Sequence, residues 1–349
     1  MKSRNNMTLE RVKYFRHLIG GAFGCIQSRL SKNPKPMCFS LMVTSKCNCN
    51  CDFCFWKHKK DNDDMPLNEI QRLVKEAGEL GFLDSIFWGG EPLLRQDFAQ
   101  ICRTSKEEGM YTKMATNGWF LKENPDFAEY TDLAFVSLDA IGKAHDDIRK
   151  MPGLYDRVID GIEYHKIHYP KMRIYICCTV SSKTDFSQIK EVSEYCRKAD
   201  ILMYLTVNKS NQSLDEAKNV KDTELEIDAL SEIFVKIKEL KKQGYPIRNS
   251  YYFMDYIIEK KTYYQCHWPR LAIVIYSNGE MLRCYDRKPF IDLKGRALKD
   301  VLSSKEYIDE VNECKDCTLA CTGNYALDAS GLWRLEWPAV KSLMEIAVT

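Results

Sequence analysis

Residues 38–54, CFSLMVTSKCNCNCDFC, join an apolar run to a loop rich in cysteine. The run Cys38–Thr44 has the length and apolar composition of a buried strand. Directly after it, Cys47, Cys51 and Cys54 have the spacing C-x-x-x-C-x-x-C. Three thiolates can bind three irons of a four-iron, four-sulfur (4Fe-4S) cluster and leave the fourth iron open to a ligand. The stretch therefore predicts a strand that leads into a metal-binding loop.

The other residues of this loop suggest two further interpretations. Cys49 lies out of register with the three cysteines, and we interpret it as a bystander. Phe53, immediately before the last cysteine, is suited to exclude water from the site. A zinc knuckle is the alternative to a cluster, because cysteine also binds zinc, but a zinc knuckle requires four tetrahedral ligands. We favour the cluster, because three in-register cysteines are followed by a series of β-α units.

From residue 37 onward, short apolar or β-branched runs alternate with stretches whose apolar residues recur every three or four positions. This alternation is typical of β-α units around a parallel sheet. The predicted strands are Cys38–Thr44, Ser85–Trp88, Tyr111–Thr116, Leu133–Leu138, Arg173–Val180 and Ile201–Val207. The predicted covering helices are Leu67–Leu80, Asp97–Glu108, Tyr155–His168 and Phe186–Lys198. Six such units predict an α/β fold, a partial (β/α)6 TIM-like barrel over residues 37–245.

Polar side chains follow three of the later strands. They are Gly89-Gly90-Glu91-Pro92 after the second strand, Asn117 after the third, and Ser137 and Asp139 after the fourth, with Arg149 shortly beyond. The carboxyl ends of barrel strands are where active sites are built. The alternative is that Asn117 and Asp139 cap turns and that Arg149 is a solvated helix charge. We favour a shared binding site.

Taken together, the cysteine loop and these strand ends resemble the radical S-adenosylmethionine (SAM) superfamily. The resemblance implies that Cys47, Cys51 and Cys54 hold a 4Fe-4S cluster and are catalytic, and that the protein cleaves SAM reductively to a 5′-deoxyadenosyl radical. That radical removes a hydrogen atom from a substrate C–H bond, and ferredoxin or flavodoxin supplies the electron. The implied SAM-binding residues are Phe53, Gly89, Gly90, Glu91, Pro92, Asn117, Ser137, Asp139 and Arg149.

A second group of cysteines lies near the carboxyl end of the chain. Asn278-Gly279 predicts a tight hairpin turn within residues 273–284. The cysteines are Cys266, Cys284, Cys314, Cys317 and Cys321. Their arrangement resembles the twitch or abbreviated SPASM extension of radical SAM enzymes, which implies an auxiliary 4Fe-4S cluster in a small cysteine-rich α+β domain over residues 246–335. One of the last three cysteines would be spare, and a zinc site is the alternative.

The first 36 residues are predicted to form a helical extension. Residues 11–30 carry Val12, Phe15, Leu18, Ile19, Phe23 and Ile26 among basic residues, which predicts an amphipathic helix. Such a helix either touches a membrane surface or packs its apolar stripe beneath the barrel. A C-terminal helix is predicted over residues 336–349.

Composition limits the function classes. The formal net charge of +2 among 349 residues gives no nucleic-acid footprint. Grouped cysteines and the lack of a recognisable signal peptide predict a cytoplasmic protein. We expect a small metabolite, sugar or lipid as substrate, a ribosomal peptide as the alternative substrate, and a non-catalytic zinc-stabilised binding protein as the alternative from another class.

Overall fold

A computed structural model describes residues 19–54, 63–208, 222–261, 264–284, 289–313 and 324–341. The strands are β1 (Cys38–Thr44), β2 (Asp84–Gly89), β3 (Tyr111–Thr116), β4 (Leu133–Ser137), β5 (Arg173–Val180), β6 (Leu202–Val207), β7 (Ala272–Ile275), β8 (Glu280–Leu282) and β9 (Pro289–Asp292). The helices are α1 (residues 19–30), α2 (Leu67–Glu79), α3 (Phe98–Glu107), α4 (Lys143–Arg149), α5 (Leu154–His168), α6 (Phe186–Ala199), α7 (Ile227–Lys242), α8 (Tyr251–Ile258), α9 (Trp268–Leu271), α10 (Leu298–Ser303), α11 (Lys305–Asn312) and α12 (Asn324–Arg334).

Within the described residues, nine strands form one sheet in the order β6-β5-β4-β3-β2-β1-β7-β8-β9. Strands β1 to β6 are all parallel, so the six predicted β-α units form an open partial barrel. All six predicted strands and the four covering helices are present, with ends that differ by one or two residues at most. The predicted fold class is confirmed.

The carboxyl-terminal hairpin is part of the same sheet. β7 pairs in parallel with β1, and β8 and β9 follow as antiparallel strands. Gly279 forms the predicted turn with φ of +91°, a backbone conformation that favours glycine. The proposed boundary between residues 245 and 246 therefore does not interrupt the sheet, and the division into domains stays a prediction.

The two faces of the barrel strands have different environments. Phe39, Leu41 and Val43 of β1 pack into the main core beneath the helices. On the opposite face, Met42 and Trp88 pack with Val274, Tyr276 and Leu282 of the hairpin. Alternation along a strand explains the division, because successive side chains point to opposite faces. The second face forms the interior of the open barrel.

The predicted C-terminal helix falls partly outside the described residues. Residues 337–341 are helical, in agreement with the predicted C-terminal helix. Within the described ranges, no helix is both long enough and apolar enough to span a bilayer.

Candidate active site

The cysteine loop begins where β1 ends. Cys51 is buried, Cys54 is partly buried and Cys47 is exposed, and all three thiols are free of disulfides. Two backbone contacts hold the loop, one from Asn50 N to Arg149 O at 3.3 Å and one from Cys54 N to Cys51 O at 3.2 Å. The loop therefore rests on the end of helix α4, where Arg149 is the last residue.

Asp64 is a residue of this site that the sequence analysis missed. Its carboxylate accepts hydrogen bonds from Thr44 Oγ1 at 2.6 Å and from Ser45 N at 3.0 Å. Arg95 connects the same two segments of the chain, because its guanidinium donates to Val43 O at 2.9 Å and to Met65 O at 3.0 Å. Together they join the end of β1, where the cysteine loop begins, to residues 64 and 65. Neither residue lies in a recognisable motif, so nothing in the sequence pointed to this role.

The thiols of the loop are electrostatically coupled. Hydrogen bonding from the Cys49 thiol lowers the pKa of Cys47, and the same donor together with the nearby Arg149 charge lowers the pKa of Cys51 to about 7. The pKa of Cys49 itself is raised, because its hydrogen is engaged by these two neighbours. Cys49 N donates to Cys47 Sγ at 3.4 Å, and the Cys49 sulfur lies 3.5 Å from Met151 Sδ, contacts that its spacing did not reveal. A lowered pKa favours thiolate, the form that binds metal.

Gly89 and Gly90 are required by close packing against the cysteine loop. Gly90 N donates to Thr44 O at 2.9 Å, and Glu91 N donates to Lys46 O at 2.8 Å. A Cβ atom on Gly90 would lie 2.0 Å from Lys46 O, and one on Gly89 would lie 2.3 Å from Thr44 O. Any side chain at either position would therefore displace the loop. This steric reason comes in addition to the predicted contact with SAM.

Glu91 is a fully buried carboxylate that joins the ends of β2 and β3. It accepts hydrogen bonds from Leu93 N at 3.0 Å, Thr116 Oγ1 at 2.7 Å and Asn117 N at 2.6 Å. Burial raises its pKa to about 7, although these donors act in the opposite direction. Pro92 begins a buried 3-10 turn for which Glu91 is the N-cap. Both residues build the site, and a direct contact with SAM stays a prediction.

Asn117 points toward the cysteine loop. Its Nδ2 donates to Asn48 Oδ1 at 2.7 Å and lies 4.0 Å from Cys47 Sγ. Its Oδ1 accepts a hydrogen bond from Trp119 N at 2.9 Å, which is the turn-capping role that the sequence left as an alternative. Asn117 therefore caps this turn and also contacts the cysteine loop, and its role in binding SAM stays a prediction.

Asp139 and Arg149 form a buried ion pair. Arg149 Nε donates to Asp139 Oδ2 at 2.6 Å, and Thr179 N donates to Asp139 Oδ1 at 2.8 Å. Burial by itself opposes ionisation, but the Arg149 charge outweighs it and lowers the pKa of Asp139. The Arg149 guanidinium also lies 5.0 Å from the centre of the Phe53 ring. Arg149 is thus a buried contact between the cysteine loop and β4, and the solvated-charge alternative is wrong.

His145 supports this ion pair from the same helix and was also missed. Its Nδ1 accepts a hydrogen bond from Asp139 N at 3.1 Å, so the ring hydrogen belongs on Nε2. Burial lowers the pKa of His145 to about 4, which keeps the ring neutral at pH 7. The run His145-Asp-Asp-Ile-Arg149 places both residues one helical turn apart on α4, which is the signal that could have found it.

The last predicted residues of the barrel lie on β4 and β5. Ser137 ends β4 and pairs in register with Cys177 on β5. Cys177 is partly buried, with its thiol 4.0 Å from Thr206 Oγ1, whereas Cys178 is fully buried on the helix side. The two thiols therefore lie on opposite faces of the sheet, because successive side chains of a strand alternate.

The second cysteine group is described only in part. Cys266 and Cys284 are partly buried and lie on either side of β7 and β8. Cys314, Cys317 and Cys321 lie outside the described residues. Among the residues that the structure does describe, no group of three or more His, Cys, Asp or Glu side chains is arranged around a single metal ion. Cysteines that bind a 4Fe-4S cluster are bridged through iron and sulfide atoms, so they need not converge on one ion.

Comparison with known proteins identifies the barrel. Residues 41–196 match the family model of the Radical SAM superfamily. The chain is 24% identical over 227 residues to Fe-coproporphyrin III synthase of Methanosarcina barkeri, covering 62% of this chain and 55% of that protein. It is 29% identical over 178 residues to the AdoMet-dependent heme synthase of the same organism, covering 48% of this chain and 49% of that protein. The chain thus spans about half the length of these curated relatives.

The solved structures extend the likeness in fold beyond the barrel. Streptococcus suis SuiB bound to S-adenosylmethionine superposes with a TM-score of 0.65 at 17% identity, covering 82% of this chain and 72% of SuiB. At this identity the likeness shows a shared fold. Residues 41–196 are therefore similar to the Radical SAM superfamily in sequence, and the chain shares its fold with SuiB.

Proposed function

We propose that this chain is a radical SAM enzyme that abstracts hydrogen from a substrate C–H bond. One observation carries the proposal: the polar ends of β2 and β3, together with helix α4, contact the same cysteine loop. Glu91 meets it at Lys46, Asn117 at Asn48, and Arg149 at Asn50. Three separate sequence motifs that share one loop are expected where a single cofactor assembly is bound.

The residues present fit a 4Fe-4S cluster and SAM. Cys47, Cys51 and Cys54 supply three thiols from one loop, two of them with lowered pKa values. When bound, the cluster supplies one electron to SAM, which yields methionine and a 5′-deoxyadenosyl radical. The chain's own part is to hold and orient: the Arg149 guanidinium stays charged beside Phe53, and the buried strand ends exclude water.

For SAM itself, the proposed binding residues divide by chemistry. The backbone of Gly89 to Pro92 lies beside the loop and offers carbonyl groups to an ammonium. Asn117, Ser137 and Arg149 offer donors suited to a carboxylate or a ribose hydroxyl. Asp139 acts through Arg149, because its oxygens are already bonded to Arg149 and to Thr179.

The interior of the barrel supports a small molecule with a flat or cyclic part as substrate. Phe135 lies 5.9 Å from Tyr175 and 5.8 Å from Tyr204, ring centre to ring centre. Trp88 lies on the same face of the sheet, with its Nε1 bonded to Ser40 Oγ at 2.9 Å. Aromatic walls stabilise flat ligands by stacking and burial of apolar area. Relatives named for coproporphyrin and heme synthesis are in keeping with such a substrate.

Anaerobic reconstitution with iron and sulfide tests the cluster and the chemistry. The wild-type protein should show iron-sulfur absorbance and release 5′-deoxyadenosine from SAM when dithionite is added. Replacement of Cys47, Cys51 and Cys54 by alanine should abolish this release, whereas Cys102→Ala, which changes a fully buried thiol on α3, should leave it intact. Zinc binding without 5′-deoxyadenosine would refute the enzyme and support the zinc-stabilised binding protein.

Metal analysis of the same variants tests the proposed auxiliary cluster. If Cys266, Cys284 and two of Cys314, Cys317 and Cys321 hold a second cluster, the triple alanine variant should retain about four irons per chain. Loss of all iron from that variant would contradict an auxiliary cluster, and about one zinc per chain would assign the group to zinc.

Isotope transfer distinguishes a small substrate from a peptide. The reconstituted protein is supplied with fractions of an extract from cells grown in deuterated medium. Deuterium in 5′-deoxyadenosine from the low-molecular-weight fraction supports a small molecule, and deuterium only from the peptide fraction supports a ribosomal-peptide maturase. Ferredoxin or flavodoxin, in place of dithionite, tests the proposed electron donors in the same assay.

A further inference from the structure

Helix α1 presents its large apolar side chains to solvent. The exposed fractions are 54% for Ile19, 58% for Phe23, 43% for Ile26 and 81% for Leu30. At about 100° per residue, these four positions lie within roughly 60° of one another around the helix. They form one continuous strip, which we call the α1 stripe. Single exposed apolar residues need no explanation, but a contiguous strip marks an interaction surface.

The opposite face of α1 packs on the protein. Cys25 and Ser28 are buried, and a Cβ atom on Gly24 would lie 2.5 Å from Met37 Sδ. The expectation that the apolar stripe packs beneath the barrel is therefore wrong for residues 19–30. Small residues fill that contact instead, and they leave the α1 stripe on the outside.

The carboxyl end of α1 is fixed to the body of the protein. Arg270 donates to Ser31 O at 2.9 Å, and Arg29 donates to Trp333 O at 3.3 Å. The Arg29 guanidinium also lies 5.9 Å from the centre of the Trp333 ring. These contacts hold the helix in one orientation, so the outward direction of the stripe is a property of the fold.

Helix α1 lies at the amino-terminal ends of β1 and β2, whereas the candidate active site lies at the carboxyl ends of the barrel strands. Met37, which packs against Gly24, directly precedes β1, and Leu83, whose Cδ1 lies 3.4 Å from a Cβ position on Gly20, directly precedes β2. The cysteine loop follows the carboxyl end of β1. A partner bound to the stripe therefore leaves the cysteine loop accessible.

Charge indicates which partner the stripe takes. Residues 1–36 contain eight Lys or Arg and one acidic residue, whereas residues 37–349 contain 43 Lys or Arg and 48 acidic residues. The positive charge is thus concentrated in the segment that carries the stripe. An apolar strip with adjacent basic residues is the combination that binds the surface of an anionic bilayer.

We propose that α1 is a peripheral membrane contact, in which the α1 stripe enters the interface of an anionic bilayer and the nearby basic residues Arg29, Lys32 and Lys35 bind its headgroups. The proposal is independent of the proposed catalytic function, because the two sites lie at opposite ends of the barrel strands. It places the protein on a membrane surface without requiring a lipid substrate.

Vesicle sedimentation tests the proposal with the full reconstituted chain. The protein should bind phosphatidylcholine vesicles that contain phosphatidylglycerol, bind pure phosphatidylcholine vesicles much less, and dissociate as salt is raised. Phe23→Asp and Leu30→Asp should each weaken binding about tenfold or more, because each places a charge in the apolar strip. Ile167→Asp is the matched control, since Ile167 is a large apolar residue of α5 that is 73% exposed outside the stripe, and its binding should be unchanged.

Three results would overturn the proposal. Equal binding by wild type, Phe23→Asp and Leu30→Asp would remove the stripe from the contact. Equal binding to charged and uncharged vesicles would remove the anionic headgroups. A wild-type dimer in light scattering that Leu30→Asp converts to monomer, without vesicle binding by either, would assign the stripe to a second copy of the chain. Because Leu30 is 81% exposed, its substitution leaves the core unchanged, and SAM cleavage by this variant should equal that of wild type.

Discussion

Asp139 follows β4, and its buried carboxylate contacts both α4 and β5. It accepts hydrogen bonds from Arg149 on α4 and from Thr179 on β5, and its own amide donates to His145. A buried ion pair that loses one partner leaves an uncompensated charge, which typically costs about 3–5 kcal/mol. Asp139 therefore acts as a positioning residue that fixes Arg149 beneath the cysteine loop.

Substitution of Asp139 tests this positioning role. In Asp139→Asn, Arg149 loses its counter-charge, so we expect SAM affinity to fall about tenfold or more and the free energy of unfolding to fall by about 3 kcal/mol. Calorimetric titration of SAM and urea unfolding measure the two effects. Asp160→Asn is the matched control, because Asp160 pairs with Lys122 at the surface at 2.7 Å, where ion pairs contribute about 1 kcal/mol at most. Equal SAM affinity in both variants would contradict the role of Asp139.

For single residues, the sequence predicted which residues lie at the candidate site better than it predicted which residues they contact. Asp139, Arg149 and Asn117 were all selected because they follow barrel strands, and all three lie at the candidate site. Their mutual contacts could not be predicted, since Asp139 and Thr179 become neighbours only when β4 and β5 pair. Asp64 and Arg95 were missed for the same reason, because their partners lie on β1 and in its loop.

Among the elements, helix α8 shows how a cap couples two helices. Ser250 is its N-cap, with Oγ accepting from Phe253 N at 2.9 Å and donating to Asp328 Oδ1 on α12 at 2.6 Å. Burial raises the pKa of Asp328 to about 7. The aromatic run Tyr251-Tyr-Phe-Met-Asp-Tyr256 lacks clear helical periodicity, so the helix was not predicted, although Ser250 is a preferred N-cap residue.

The raised pKa of Asp328 makes stability depend on pH. The folded carboxyl stays protonated up to about pH 7, while in the unfolded chain it ionises near pH 4, so stability is lost as pH rises through this window. Asp328→Asn cannot ionise, and it should lose less stability between pH 5 and pH 8, by on the order of 2 kcal/mol. Urea unfolding of both proteins at the two pH values measures this difference. Parallel pH profiles would show that Asp328 does not titrate in this range.

For the whole molecule, the carboxyl-terminal hairpin extends the sheet beyond β1. β1 pairs with β2 on one side and with β7 on the other, so it is an interior strand of the sheet. Ile273 and Ile275 of β7 are buried in the main core. Loss of the hairpin would expose one edge of β1 together with this apolar surface, and exposed apolar edges promote aggregation.

Truncation tests this dependence. A chain that ends at residue 261 should be insoluble or should lack cooperative unfolding, because β1 loses its β7 partner. The full-length variant Ile275→Ala removes core packing by β7 but keeps its pairing with β1. It should lower the free energy of unfolding by about 2–5 kcal/mol while the fold is retained. Solubility, circular dichroism and thermal unfolding provide the measurements. A soluble, cooperatively folding truncation would support an autonomous barrel over residues 37–245.

The sequence by itself determined the six β-α units and the cysteine loop, because both depend on the spacing of residues that are close together in the sequence. Apolar periodicity indicates the strands and helices, and C-x-x-x-C-x-x-C indicates the loop. Only the tertiary structure decided that β7 pairs with β1, that Asp139 binds Arg149, that Cys49 lies beside Met151, and that the apolar side of α1 faces outward. Each of these depends on which distant segments the fold brings together. Periodicity shows that a helix has an apolar side, but the packing partner determines which side is buried.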